Sequence, residues 1–407
     1  MKLPKENMDY SPTESWSDDF QPPAPLIPVY ESEYRLDRAQ ILMEVLEEEV
    51  MIGSFQRKLD MRGEDLVAIL MVAREKLENN GPLSRDDDSN FPKITSATEI
   101  LVTIAQSCKH YMLHLDQDNL KDPRWQHAIP GPSEPEMSDK EFEECDLETF
   151  SKAIVHRYRF STLEHLQPVR RSRSTVKAEE AKCWSRDKGT CVLTGKPLPQ
   201  IFCFILFTWN DTVEHMNHTG DIRRGIFDLG VRLLDGPNPP CNARALGGSH
   251  KAWNMLCIDK DLRRYLKNGL CAFKWLTNDP APNDPNNVKI TLQFHWMPIL
   301  ELRYGRRMDI NRRGARNDFR KLVKDIKNFD QGPQVTHKYG TVMDRYGKPL
   351  RSGHFIHITM PKQDAEQCRD AVKVHWACVV YAALCGAAGR PWLLSDEAQD
   401  QSTEWVS

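Results

Sequence analysis

The chain has 407 residues, 40% of them hydrophobic and 28% charged, which leaves room for a substantial packed core. Lys and Arg number 55 against 58 Asp and Glu, a formal net charge of −3, so a globally basic nucleic-acid binder is excluded and only a local basic surface stays open. The most apolar stretch, residues 374–388, carries His375 and is too short to span a bilayer, and no apolar run follows the first residues. An intracellular protein of nucleus or cytoplasm with no membrane partner is therefore expected.

Residues 1–32 are rich in Pro, Ser and acidic side chains and read as a disordered arm. A helical region over 33–122 follows. Leu36, Ala39, Met43, Leu46 and Val50 keep a helical period. Leu66, Ile69, Leu70, Ala73 and Leu77 repeat it, up to the stop Asn79-Asn80-Gly81-Pro82, and residues 95–115 give a third helix. None sustains enough heptads for a coiled coil. Residues 123–176 read as a linker, Pro-rich and then acidic, with a short helix at 152–161. Arg170, Arg171 and Arg173 near its end suit a solvated basic linker, or a phosphate-contacting or nuclear-targeting segment.

Residues 177–300 carry the chemistry of interest. A helix over 177–186 runs into Asp187-Lys188-Gly189-Thr190-Cys191-Val192-Leu193-Thr194-Gly195, whose two glycines suit a hairpin arm. A β-prone run over 201–208 comes next, then an insert of about forty residues ending at Asn254-Met255-Leu256-Cys257-Ile258. Asp259 and Gly269 bracket a helix as N-cap and C-cap, with Leu262 and Leu266 on one face.

The order is hairpin, asparagine-bearing segment, helix, and it resembles the HNH (ββα-metal) nuclease domain common in filamentous fungi. Members of that family read Arg-Asp-x-x-x-Cys-x-x-Thr-Gly, then a strand ending His-Ile-x-Pro-Phe, then Asn-x-Leu-x-Leu, a helical His, and Gly-x-Phe-Ala. Arg186-Asp187, Cys191, Thr194-Gly195, Ile205, Phe207, Asn254, Leu256, Gly269 and Ala272-Phe273 match. The match covers about a quarter of the chain, with Phe294-His295-Trp296 and Gly353-His354-Phe355 extending it more weakly.

The resemblance implies a first histidine acting as general base, an asparagine positioning it, and a second histidine helping to bind a divalent ion. Phe204 and Arg263 stand at the two histidine positions, and only Asn254 remains as a catalytic remnant. A benzyl group neither accepts a proton nor ligates a metal, and losing a positioned base costs about 10²–10⁴ in rate. An arginine repels a cation; two unit charges 4 Å apart interact by roughly 4 kcal/mol at an effective dielectric near 20, which is an upper bound for a mobile side chain. Arg263 is either a solvated helix residue or a direct phosphate contact. His215, His218 and His250 are the histidines from which a re-sited metal centre would be built.

Residues 301–394 form a basic segment followed by a strand and a helix. Arg306, Arg307, Arg312, Arg313 and Arg316, with Arg263, are the candidate nucleic-acid contacts; a solvated face of an amphipathic helix is the plain alternative. Residues 353–358 alternate as a strand that puts His354 and His357 on opposite sides, 363–384 form a helix, and 395–407 a polar tail.

The eleven cysteines include no Cys-x-x-Cys pair, so reduced core thiols are expected, with no cofactor and no metal unless an ion is re-sited. The expected fold class is α+β: a helical N-terminal region, a central ββα HNH-like module, and C-terminal strands and helix. The expected function is that of a catalytically degenerate HNH-like pseudoenzyme acting as a nucleic-acid-binding or accessory factor. An active endonuclease with a re-sited metal and a protein-interaction scaffold are the alternatives.

Overall fold

The computed structural model describes residues 20–50, 61–78, 81–84, 93–121, 173–212, 215–216, 219–220, 223–231, 246–281, 284–332 and 342–394. Most of the expected linker, His218, the first nineteen residues and the expected tail lie outside them. Eight α-helices are described: α1 (Ser32–Val50), α2 (Gly63–Met71), α3 (Lys93–His114), α4 (Arg173–Arg186), α5 (Arg223–Asp228), α6 (Lys260–Lys267), α7 (Asp318–Gln331) and α8 (Lys362–Leu384). Two antiparallel sheets accompany them. One pairs β1 (Gln200–Cys203) with β2 (Met255–Ile258); the other has the order β3 (Cys271–Ala281), β4 (Asp284–Trp296), β5 (Phe355–Pro361). The fold is α+β.

Two helices form the centre. On α3, Ile100, Ile104, Cys108, Tyr111 and Met112 are buried, and on α8 Ala371, Val374, His375, Cys378, Val379, Tyr381 and Ala382 are. A helix apolar nearly all round has to be enclosed by others, and α8 packs against α3, α2 and the three-stranded sheet. The small residues of α8 permit that close approach. The same requirement appears at Gly225 of α5, where a Cβ would collide with the main-chain carbonyl of Thr103 on α3.

One hydrophobic core runs from Leu26 to Leu394, so the helical N-terminal region shares its packing with the rest of the chain. The basic segment wraps back onto that region. Met308 N donates to Met61 O, Gly63 N to Arg306 O, Gln40 Nε2 to Ile310 O, and Arg320 pairs with Glu33.

Local signals explain the ends of several elements. Asp259 caps α6 by accepting from Asp261 N, and Asn317 caps α7 by accepting from Arg320 N. Gly269 has φ +65°, the left-handed conformation expected after α6. The second helix stops at Met71, short of the apolar pattern that continues to Leu77. Arg35, buried beneath it, donates to the carbonyls of Ile69 and Val72 and takes up the helix end.

Residues 20–32 fall within the expected disordered arm yet are packed. Phe20 bridges to His354, Gln21 N donates to Gly353 O, and Leu26 and Ile27 are 5% exposed. Composition marked the segment as polar; two adjacent apolar residues and a sheet edge hold it. The hairpin arm over 187–195 also differs: it is a series of turns with a single bridge, Thr190 to Pro197, tied to the sheet by Val192 N donating to Cys257 O.

Candidate functional site

Strands β1 and β2 pair with Cys203 opposite Met255 and Gln200 opposite Ile258, and α6 follows β2 after one residue. A strand before the insert and a helix after Asn254 stand where they were expected, without the hairpin at 187–195, and order alone identifies no family.

The ladder ends at Cys203, earlier than the β-prone run predicts, because Asn254 takes over. Phe204 N donates to the main-chain oxygen of Asn254 at 3.1 Å. The next residue bonds the side chain: Ile205 N reaches Asn254 Oδ1 at 2.7 Å, and Asn254 Nδ2 returns to Ile205 O at 2.7 Å and reaches Ser249 O at 3.0 Å. Asn254 is fully buried, and both ends of its amide are committed to main chain. It splices the end of β1 to the start of β2.

Phe204 is 0% exposed and turned into the core. Its ring meets those of Phe202, Phe273 and His375 at centroid distances of 5.6, 6.0 and 5.5 Å. The Tyr111 hydroxyl lies 2.7 Å from Phe204 O and 2.8 Å from His375 Nδ1. A carbonyl only accepts, so the single hydroxyl proton goes to Phe204 O and His375 donates from Nδ1. This tautomer leaves Nε2 bare, and among the described residues it has no hydrogen-bond partner. Burial pushes the imidazole down to about 3, so His375 is neutral.

Arg263 is half-buried on α6 and bound to β1, donating from Nε to Ile201 O at 2.9 Å and from Nη1 to Gln200 Oε1 at 3.2 Å. It closes the corner between strand and helix. A divalent ion of the HNH kind does not fit here. Phe204 is an apolar plug, Asn254 has no uncommitted amide group, and Arg263 brings a positive charge. No step through such an ion is derived.

The other histidines have partners of their own. His250 pairs with Glu180 (Nε2–Oε1, 3.2 Å) and stands edge-on to Phe207. His215 bonds Asp211 (Nδ1–Oδ1, 2.6 Å) and lies against His114, which itself contacts His110. Neither ring hydrogen-bonds the Asn254 amide, whose bonds all go to main chain. His354 is held by Arg351 O and Asp344, and His357 by Thr291 Oγ1.

The basic candidates divide into two groups. Arg306 pairs with Glu301 and Arg312 with Asp309, and the hydrogen bonds from Arg306 and Lys321 hold the Glu301 carboxyl down to about 2. Arg307 bridges to Arg62 through the main chain. Arg313 and Arg316 are exposed and form no ion pair with a described residue; Lys324 and Lys327 on the outer face of α7 are the same. Arg263 stays with Gln200 and Ile201, while this segment lies against α1 and α2, so the sequence-level set does not converge on one spot.

Two pairs of residues, the first from the motif, have side-chain roles that spacing alone did not give. Arg186 and Asp187 form a clasp: Arg186 donates to the carbonyls of Ala252 and Met255 and to Asp187, and Asp187 accepts from Cys257 N at 2.8 Å. Cys183 and Cys257, 74 residues apart, meet beside it, a contact with no local sequence signal.

No family model, curated protein or solved structure matches the chain. No helix among the described residues is long and apolar enough to cross a membrane.

Proposed function

We propose that this chain is an HNH-like protein that has given up metal-dependent phosphodiester cleavage and acts as a nucleic-acid-binding or accessory factor. The observation that carries the reading is the state of the residues at the motif positions. Asn254 is a buried splice between two strands, and Phe204 is a core residue beneath it with no exposure. Other residues of the resemblance support it as scaffold: Arg186 and Asp187 lock the helix before the hairpin arm to β2. Nothing at this position accepts a proton from water.

A binding role rests on Arg313, Arg316, Lys324 and Lys327, exposed cations without an ion-pair partner among the described residues. Over residues 303–327 ten Arg and Lys face three Asp, a local excess that the overall net charge of −3 conceals. Clustered cations of this kind contact phosphates without reading sequence, and the affinity falls steeply with salt.

The test combines supercoiled-plasmid nicking in Mg²⁺, Mn²⁺ or Zn²⁺ with fluorescence anisotropy on DNA and RNA from low to moderate salt. The expected result is salt-sensitive binding without nicking. Robust cutting that disappears in Asn254→Ala would overturn the loss of activity. Failure to bind either nucleic acid at low salt would favour a protein-interaction scaffold.

A further inference from the structure

The β1–β2 pair has a second face. Phe202, Leu256 and Ile258 point into the main core, whereas Met255 and Cys257 form a separate buried cluster with Cys183 of α4, lined by Trp184, Ile201 and Cys203. Asp187, one residue beyond the end of α4, turns its carboxylate into that cluster and is 3% exposed. The ligand atoms of Cys183, Asp187 and Cys257 all lie within 4.8 Å of one another.

We propose that Cys183, Asp187 and Cys257 form a binding site for one divalent thiophilic cation of the zinc or cadmium type. The site is separate from the Asn254 position and does not rest on the functional reading above.

The spacings decide between the possible uses of two close thiols. With zinc–sulfur bonds of about 2.3 Å and zinc–oxygen bonds of about 2.0 Å, tetrahedral geometry sets sulfur–sulfur edges near 3.8 Å and sulfur–oxygen edges near 3.5 Å. Cys183 Sγ lies 3.9 Å from Cys257 Sγ and 3.6 Å from Asp187 Oδ2. These two edges match a bridging ion, and the third, Cys257 to Asp187, lies within 4.8 Å. A disulfide needs sulfurs about 2.05 Å apart, far closer than the 3.9 Å between these two.

Charge gives a second, independent argument. Arg186 lies on the site, with Nη2 2.9 Å from Asp187 Oδ2 and 3.5 Å from Cys183 Sγ. With both thiols protonated, Asp187 and Arg186 cancel. With both ionised, the three ligands carry three negative charges, of which Arg186 offsets one and a divalent ion the other two. Both states are neutral, so binding exchanges one divalent ion for two thiol protons, which leave to solvent. A buried site that is neutral with and without the ion avoids the large cost of an uncompensated charge. The guanidinium opposes a cation but favours thiolate; its bonds to the carbonyls of Ala252 and Met255 give it other partners when an ion takes Asp187 and Cys183.

The test uses the full chain, stripped with chelator under reducing conditions and titrated with Cd²⁺ alone, then with Zn²⁺ in competition. The expected result is a thiolate-to-cadmium ultraviolet band saturating at one equivalent, two protons released per ion, and a thermal midpoint raised by metal and restored by chelator. The band is lost in Cys183→Ser/Cys257→Ser and kept in Cys191→Ser. Absence of the band, or its persistence in a folded Cys183→Ser/Cys257→Ser variant, overturns the site. If that variant does not fold, zinc-edge X-ray absorption on the wild-type chain decides. Two sulfur neighbours with oxygen completing the shell support the site, and an all-sulfur or all-nitrogen-and-oxygen shell refutes it. A chain recovered from reductant two hydrogens lighter, with Cys183 and Cys257 in one cross-linked peptide, also refutes it.

Discussion

Tyr111 on α3 and His375 on α8 share a 2.8 Å hydrogen bond while Tyr111 gives its own proton to the carbonyl of Phe204. One hydroxyl thus joins the two central helices and the end of β1 inside an apolar core. Tyr111→Phe leaves a buried carbonyl and a buried Nδ1–H without partners, each worth about 1–3 kcal/mol. Thermal unfolding of this variant is expected to show one of the larger losses of any single-atom deletion in the protein, with helix content preserved below the transition.

Placing histidines at positions 204 and 263 is not expected to produce cutting. Phe204→His would place a second imidazole against His375 in a fully buried, aromatic setting, far from water. Arg263→His would release the carbonyl of Ile201. The double variant is expected to lose about 2–4 kcal/mol, from a buried polar group and broken packing, and to leave supercoiled plasmid intact with any divalent ion. Nicking above the wild-type level would count against the scaffold reading.

Asn254→Ala is expected to destabilise the chain by about 3 kcal/mol, because Ile205 N–H, Ile205 C=O and Ser249 C=O all lose buried partners. Asn254→Asp should be nearly as damaging, since a carboxylate cannot donate to either carbonyl. Chemical denaturation of the two variants checks both expectations, and an effect on nucleic-acid binding without a loss of stability would contradict them.

Acid and base act on different buried groups. Burial, with Lys274 nearby, depresses His295 to about 3, and burial alone depresses His375 to about 3. The unfolded imidazoles take up protons first, so each group's stabilisation is present above pH 6.5 and is lost as pH falls toward 3. Glu64 runs the other way. Burial, reinforced by the Asp65 carboxyl, raises it to about 7, so its contribution is present below pH 4.5 and is lost as pH climbs to 7. Glu64→Gln, which keeps an acceptor for Gly305 N, should flatten the decline between pH 4.5 and 7 and leave the acid limb unchanged; urea midpoints across pH 3–8 would read both.

The paired and unpaired arginines should separate in binding. Arg313→Ala and Arg316→Ala are each expected to weaken nucleic-acid affinity and to reduce the slope of log affinity against log salt by about 0.9 per lost duplex phosphate contact. Arg306→Ala removes a guanidinium that is tied to Glu301 and should change that slope much less. Equal effects at all three positions would argue against a defined surface.

Much of the local architecture was legible in the sequence. Asp259 and Gly269 marked the two ends of α6, and the apolar spacing of Phe319, Leu322, Val323 and Ile326 marked the inward face of α7. What spacing could not show was direction. Phe204 read as the absence of a base, but not as a core residue beside His375, because that contact depends on how α8 packs. Arg263 read as a candidate phosphate contact, yet its guanidinium has a main-chain carbonyl to bind. The long β3–β4 hairpin went unrecognised because its turn lies in a polar Asn- and Pro-rich stretch that resembles a loop, and β3 itself includes Pro280. The meeting of Cys183 with Cys257 had no signal at all.

The docking of residues 20–28 on the sheet edge bears on the order in which the protein can assemble. Phe20 pairs with His354, and a Cβ at Gly353 would collide with the carbonyl of Gln21, so the strap fits only against that glycine. During synthesis its landing place does not emerge from the ribosome until more than three hundred further residues have been made. Until then Gln21 lacks its bond to Gly353, and the early helices lack the main-chain partners that Arg306, Ile310 and Met308 later supply. Loop closure over such distances is entropically costly and slows folding. A nascent chain of this protein therefore carries part of its apolar surface without its native partners through most of its translation.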